Sequence, residues 1–92
     1  MTKKEIILGI LKNWHLEGRK EISIVQLEIE TRKQLQTFGL GWITGESVTR
    51  YCRFCKEFYL KREIPFYLES VRKGVFAFKN GETQGKLFQN LI

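Results

Sequence analysis

Apolar residues recur at helical spacing in three stretches of the chain and crowd at strand-like density later, which predicts three helices followed by a hairpin. Thr2 and Glu5 have the spacing of a capping box, and Ile6, Ile7, Ile10, Leu11 and Trp14 then form a wide apolar stripe. A first helix is predicted from Lys3 to Leu16, ended by Gly18, with Arg19 and Lys20 as a basic connection.

Two periodicities compete between Glu21 and Phe38. Val25, Leu27 and Ile29 alternate with Gln26, Glu28 and Glu30 as in a strand, whereas Ile24, Leu27, Thr31, Leu35 and Phe38 recur as on a helix, with Ser23 and Gln26 as a second capping box. A helix after a brief strand at Glu21 and Ile22 is the favoured reading. Glu, Gln, Lys, Arg and Leu dominate the stretch from Gln26 to Gln36, where β-branched and aromatic residues are sparse. A strand running on through Thr31 would leave the chain without a full second helix.

Gly39 and Gly41 then supply a turn, with Phe38, Leu40 and Trp42 expected to plug its corner; a platform for stacking bases is the alternative for Trp42. Thr44 is a candidate N-cap, and Glu46 sets a carboxylate at the positive end of the following helix. Val48, Cys52, Cys55 and Tyr59 fall on one face, expected to be buried; Ser47, Thr49, Arg50, Arg53, Lys56 and Glu57 fall mostly elsewhere. This third helix is predicted to end near Lys61 to Glu63, since Pro65 disfavours helical backbone at Ile64. Ile64 to Val71 and Val75 to Lys79 read as two strands joined by Arg72, Lys73 and Gly74.

The order Glu46-Ser47-Val48-Thr49-Arg50, followed by Cys52 and Cys55, resembles the recognition helix of winged helix-turn-helix regulators, in particular the Glu-Thr-Val-Ser-Arg type of the cyclic-AMP receptor protein family. The match covers about a dozen residues. The resemblance implies that Glu46 and Arg50 face base edges in a major groove. Glu can accept from a cytosine amino group, and Arg can donate in bidentate fashion to guanine. A solvated basic face is the plainer account of the same helix. These 92 residues depart from that family in two respects: they are not expected to include its effector-binding domain, and the segment before Thr44 lacks its compact preceding motif, since the expected second helix is long and the linker from Gly39 to Ile43 is extended.

The element order fits an α+β winged helix-turn-helix over residues 1–79, three helices with a C-terminal hairpin wing. A tail over 80–92 carries Leu87, Phe88, Leu91 and Ile92 as an apolar patch for the core or a second subunit. The 92 residues allow one modest core, and 16 Lys and Arg against 10 Asp and Glu give a charge of +6 and a preference for polyanions. No apolar run approaches the roughly 20 residues of a spanning helix, and no secretory leader is visible, so an intracellular, cytoplasmic or nucleoid-associated protein without a membrane partner is expected.

Candidate chemistry is thin. Cys52 and Cys55 have C-x-x-C spacing but sit inside the third helix, and His15 is the only other soft ligand, so core packing is expected ahead of a dimer-bridging metal or disulfide. His15 is expected to be a surface residue without a role. No paired-carboxylate motif, phosphate-cradling loop or nucleophile with a base is visible, which argues against an enzyme, a cofactor or a small-molecule ligand.

The expected partner is double-stranded DNA. Thr44, Glu46, Ser47 and Arg50 would lie nearest the bases and Arg53 and Lys56 closer to the backbone, with Lys33, Thr49, Tyr51, Arg72 and Lys73 adding phosphate contacts. A homodimer would raise both affinity and specificity. The alternative is a winged-helix docking module for another protein, and exposure of Phe54 beside Arg50 and Arg53 would favour it.

Overall fold

The computed structural model describes residues 2–80 and contains, in order, α1 (Lys3–Leu16), β1 (Glu21–Ser23), α2 (Ile24–Phe38), α3 (Gly45–Leu60), β2 (Phe66–Arg72) and β3 (Val75–Asn80). It is an α+β arrangement of three helices and one antiparallel sheet with strand order β1-β3-β2. The tail from Gly81 to Ile92, with its apolar patch, lies outside the described residues.

Local chemistry sets the helix ends. Thr2 and Thr44 cap α1 and α3, their hydroxyls accepting from the amides of Glu5 and Ser47, each at 3.2 Å. All three helices stop in the same way, with a left-handed residue just past the end. Gly18 follows α1, Gly39 follows α2 and Arg62, at φ 63°, follows α3. The amides of Arg19, Leu40 and Glu63 reach back to the carbonyls of Trp14, Leu35 and Phe58, which satisfies otherwise orphaned acceptors. This turn stops α3 at Leu60, slightly before the end expected from Pro65.

The contested segment is a helix from Ile24 to Phe38 after a three-residue strand. Ser23 occupies its N-cap without a side-chain cap bond, contrary to the predicted capping box. Instead the Ile24 amide donates to the carbonyl of Gly74 in the hairpin turn, at 2.9 Å. β1 pairs with β3 through Ile22 and Phe76, and β2 pairs with β3 through Leu68 and Phe78. β2 begins at Phe66 rather than Ile64, and β3 runs to Asn80. Ser70 faces Phe76 while Arg72 faces Val75, so Val71 is an extra residue that bulges the strand just before the turn.

α1 packs on α2, α2 on α3, and α3 lies along β2. The core between them holds Ile7, Leu11, Leu27, Leu35, Val48 and Phe66, all fully buried, each worth about 1.5–3 kcal/mol relative to exposure. Thr31 is the one buried polar residue of the described core, and its hydroxyl donates to the Leu27 carbonyl at 2.6 Å.

Several packing expectations are corrected. Leu8 joins the α1 stripe and Trp14 is only half-buried. Phe58 rather than Tyr59 completes the buried face of α3, because that face turns toward α1, where the Lys4 ammonium sits 4.5 Å above the Phe58 ring; Tyr59 packs partly against the core and against Tyr67. Phe38 is exposed because the left-handed Gly39 reverses the chain and brings Leu40 onto the core instead. His15 is not a plain surface residue: it is half-buried, stacked on Phe66 with ring centroids 4.7 Å apart and tilted against Phe78.

Candidate nucleic-acid interface

α3 presents its outer face through simple helical geometry. With Val48, Cys52, Cys55 and Phe58 turned to the core, the positions diametrically opposite are Glu46, Arg50, Arg53 and Glu57, all exposed. None of these four takes part in an ion pair among the described residues, nor does Lys56. Gly45, Glu46, Thr49, Arg50 and Arg53 line an open groove together with Ile24 at the start of α2. Because Ile24 is bonded to Gly74, the hairpin turn lies at one edge of that groove. The start of α2 is thereby bonded to the hairpin turn and shares a groove with the N-terminal half of α3.

The predicted site residues divide accordingly. Thr44 is exposed but its hydroxyl is engaged in capping, and it also donates to the Ser47 hydroxyl at 3.2 Å. Ser47 is half-buried to one side. Thr49 lines the groove, yet its hydroxyl donates to the Gly45 carbonyl at 2.9 Å. Tyr51 is half-buried against the core rather than on the outer face. Arg72 pairs with Glu21 of β1 at 3.0 Å, whereas Lys73 is exposed at the turn without an ion pair among the described residues. Lys33 is exposed on α2.

Arg32 and Glu28, to which the sequence pattern assigned no site role, organise the corner between α2 and α3 together with Trp42. Arg32 pairs with Glu28 one turn earlier, donates through Nε to the Ile43 carbonyl at 3.0 Å, and lies over the Trp42 ring at 4.1 Å. Trp42 is not packed into the corner; it is 55% exposed. Glu28 also backs the first turn of α3 so closely that a Cβ on Gly45 would come within 2.8 Å of its carboxylate oxygen, where that negative charge complements the helix dipole. The Glu28 and Arg32 spacing of four was visible in sequence; that Arg32 reaches across to the linker was not.

The outer face of α3 also carries apolar surface. Phe54 is 41% exposed and Leu60 68% exposed, and Val25 and Ile29 are exposed on α2. Cys52 and Cys55 are fully buried; burial raises the Cys52 thiol, with repulsion from Cys55 adding to it, and burial pushes the Cys55 thiol up to about 12. Neutral buried thiols are poor nucleophiles and poor ligands. Among the described residues no group of three or more His, Cys, Asp or Glu side chains is arranged to hold a metal, and no helix is long and apolar enough to cross a membrane.

No protein-family model matches the chain, and neither a curated protein nor a solved structure is significantly similar to it.

Proposed function

We propose that this protein is an intracellular double-stranded DNA-binding protein with a winged helix-turn-helix layout, acting in transcriptional regulation or replication. α3 enters the major groove by its N-terminal half, Glu46 and Arg50 read base edges, and Arg53, Lys56 and Lys73 contact the backbone. The observation that carries the reading is the groove in which Arg50 and Arg53, without ion pairs among the described residues, stand beside the α2 N-terminus, whose Ile24 is bonded to the hairpin turn. The +6 net charge supports the same partner.

Anisotropy titration against random duplex at two salt concentrations, with an Arg50→Ala, Arg53→Ala double variant alongside, tests it. Micromolar or tighter binding that falls steeply with salt and with the double substitution is expected. No binding at low salt would eliminate it.

A second reading, a docking module for another protein, is favoured by one observation: Phe54 is exposed beside Arg50 and Arg53. Phe54→Ser separates the two. Duplex affinity unchanged by that substitution supports DNA, whereas a folded protein that binds no duplex and loses self-association or partner capture on Phe54→Ser supports docking.

A further inference from the structure

Trp42 is the exposed aromatic residue with the most elaborate support in the described structure. It stands two residues before the N-cap of α3, in the linker that returns from α2. The Arg32 guanidinium covers its ring at 4.1 Å, and that guanidinium is itself held by the Glu28 carboxylate and, at 3.0 Å, by the Ile43 carbonyl. A ring packed on a pinned planar cation keeps one orientation, and with that face covered its 55% exposure belongs to the opposite face and edge. Its exposed neighbours within four residues are Phe38, Gly39, Gly41, Thr44 and Glu46, one further ring among small or polar residues. One open aromatic face, held in a fixed orientation on a cationic protein, fits a single flat, anion-linked ligand.

A nucleobase meets that description, but a base inside a fully paired duplex has both faces covered by its neighbours. We infer that Trp42, oriented by Arg32, is a stacking platform for an unpaired base, so that the preferred substrate is a junction where duplex held by α3 gives way to single strand. The inference rests on the DNA-binding reading and narrows its substrate class. Trp42 contacts the base; Arg32 is a positioning residue that keeps the ring face open toward it.

The test compares a short blunt duplex with the same duplex carrying a single-stranded thymidine extension, using wild type, Trp42→Ala, Trp42→Phe and Arg32→Lys. The extension is expected to tighten wild-type binding about tenfold, Trp42→Ala to reduce affinity to the blunt-duplex level, and Trp42→Phe to retain most of the gain. In a Trp14→Phe background the remaining indole emission should be quenched by the extended DNA and not by the blunt one, and Arg32→Lys should weaken that quenching and reduce the ratio of extended-duplex to blunt-duplex affinity. Equal affinity for both DNAs, or an extension preference that survives Trp42→Ala, overturns the inference while salt-sensitive blunt-duplex binding leaves the DNA reading standing. Failure of the folded wild type to bind either DNA overturns both, and loss of affinity for a protein partner on Trp42→Ala in that case identifies the ring as a docking residue instead.

Discussion

The Ile24 amide donates to the Gly74 carbonyl across 2.9 Å, tying the first residue of α2 to the turn of the β2–β3 hairpin. This bond continues the β1–β3 ladder by one step beyond Ser23 and Val75, so only the turn itself extends past β1. The hairpin turn is thereby bonded to Ile24, which lines the groove with Arg50 and Arg53. The bond also satisfies a first-turn amide of α2 that the Ser23 side chain leaves unbonded.

That arrangement separates two kinds of basic residue. On the proposed DNA-binding reading, Arg50→Ala is expected to reduce discrimination between a preferred site and random duplex by about 1–3 kcal/mol, since it would remove a base-edge donor. Lys73→Ala is expected to weaken both DNAs equally and to flatten the salt dependence by about one charge. Parallel salt titrations on the two DNAs measure both, and equal losses from both substitutions on both DNAs would refute the division of roles.

Arg72, at the end of β2, is held at 3.0 Å by Glu21 of β1, on the far side of the intervening strand β3, an exposed pair. Glu21→Gln is expected to change stability by less than about 1 kcal/mol, because exposed ion pairs contribute little. Freed of its carboxylate, Arg72 becomes available to phosphate, so nonspecific duplex affinity should rise and its salt dependence steepen. If Glu21→Gln leaves both unchanged, Arg72 has no part in binding.

Arg62 occupies the left-handed position that glycine fills after α1 and α2. A side chain there costs about 1 kcal/mol, so Arg62→Gly should stabilise the fold by up to that amount despite the greater freedom of the unfolded chain. Urea denaturation of the two proteins decides it; a less stable Arg62→Gly would mean that contacts of the arginine outweigh the backbone strain.

Cys52 and Cys55 should make stability depend on alkaline pH. Their folded-state values lie above the ordinary 9.0, so above pH 9.0 the unfolded chain holds fewer protons than the native one. The contribution of the neutral thiols is therefore present in full below pH 9.0 and is lost as pH rises from there through the folded value of about 12 for Cys55. Each thiol steepens the fall by up to about 1.4 kcal/mol per pH unit. A double Cys52→Ala, Cys55→Ala variant should be less stable at neutral pH but decline more gently in alkali, as read by denaturation at a series of pH values. Identical slopes would contradict the buried, protonated state.

Much of this layout is legible in the amino-acid sequence. The Thr2 and Thr44 caps, the glycine stops and the spacing of Val48, Cys52 and Cys55 depend on contacts within a few residues, and local sequence encodes these directly. Composition is enough to favour a helix for the ambiguous segment that forms α2, since residues that favour helices dominate it. The likeness of Glu46 to Arg50 to a recognition helix comes from the same local pattern, although no comparison with known proteins adds to it.

Sequence by itself therefore determined the helices, their boundaries to within a few residues, and which face of α3 carries Glu46, Arg50 and Arg53. Tertiary structure alone decided that Phe58 displaces Tyr59 from the core, that Ile24 and Gly74 meet, that Glu21 holds Arg72, and that Trp42 stands outside with Arg32 across its ring. Helical periodicity fixes the direction of a side chain from its own axis. Whether another element lies in that direction depends on how helices and strands distant in sequence share one small core, and a spacing rule carries no information about that.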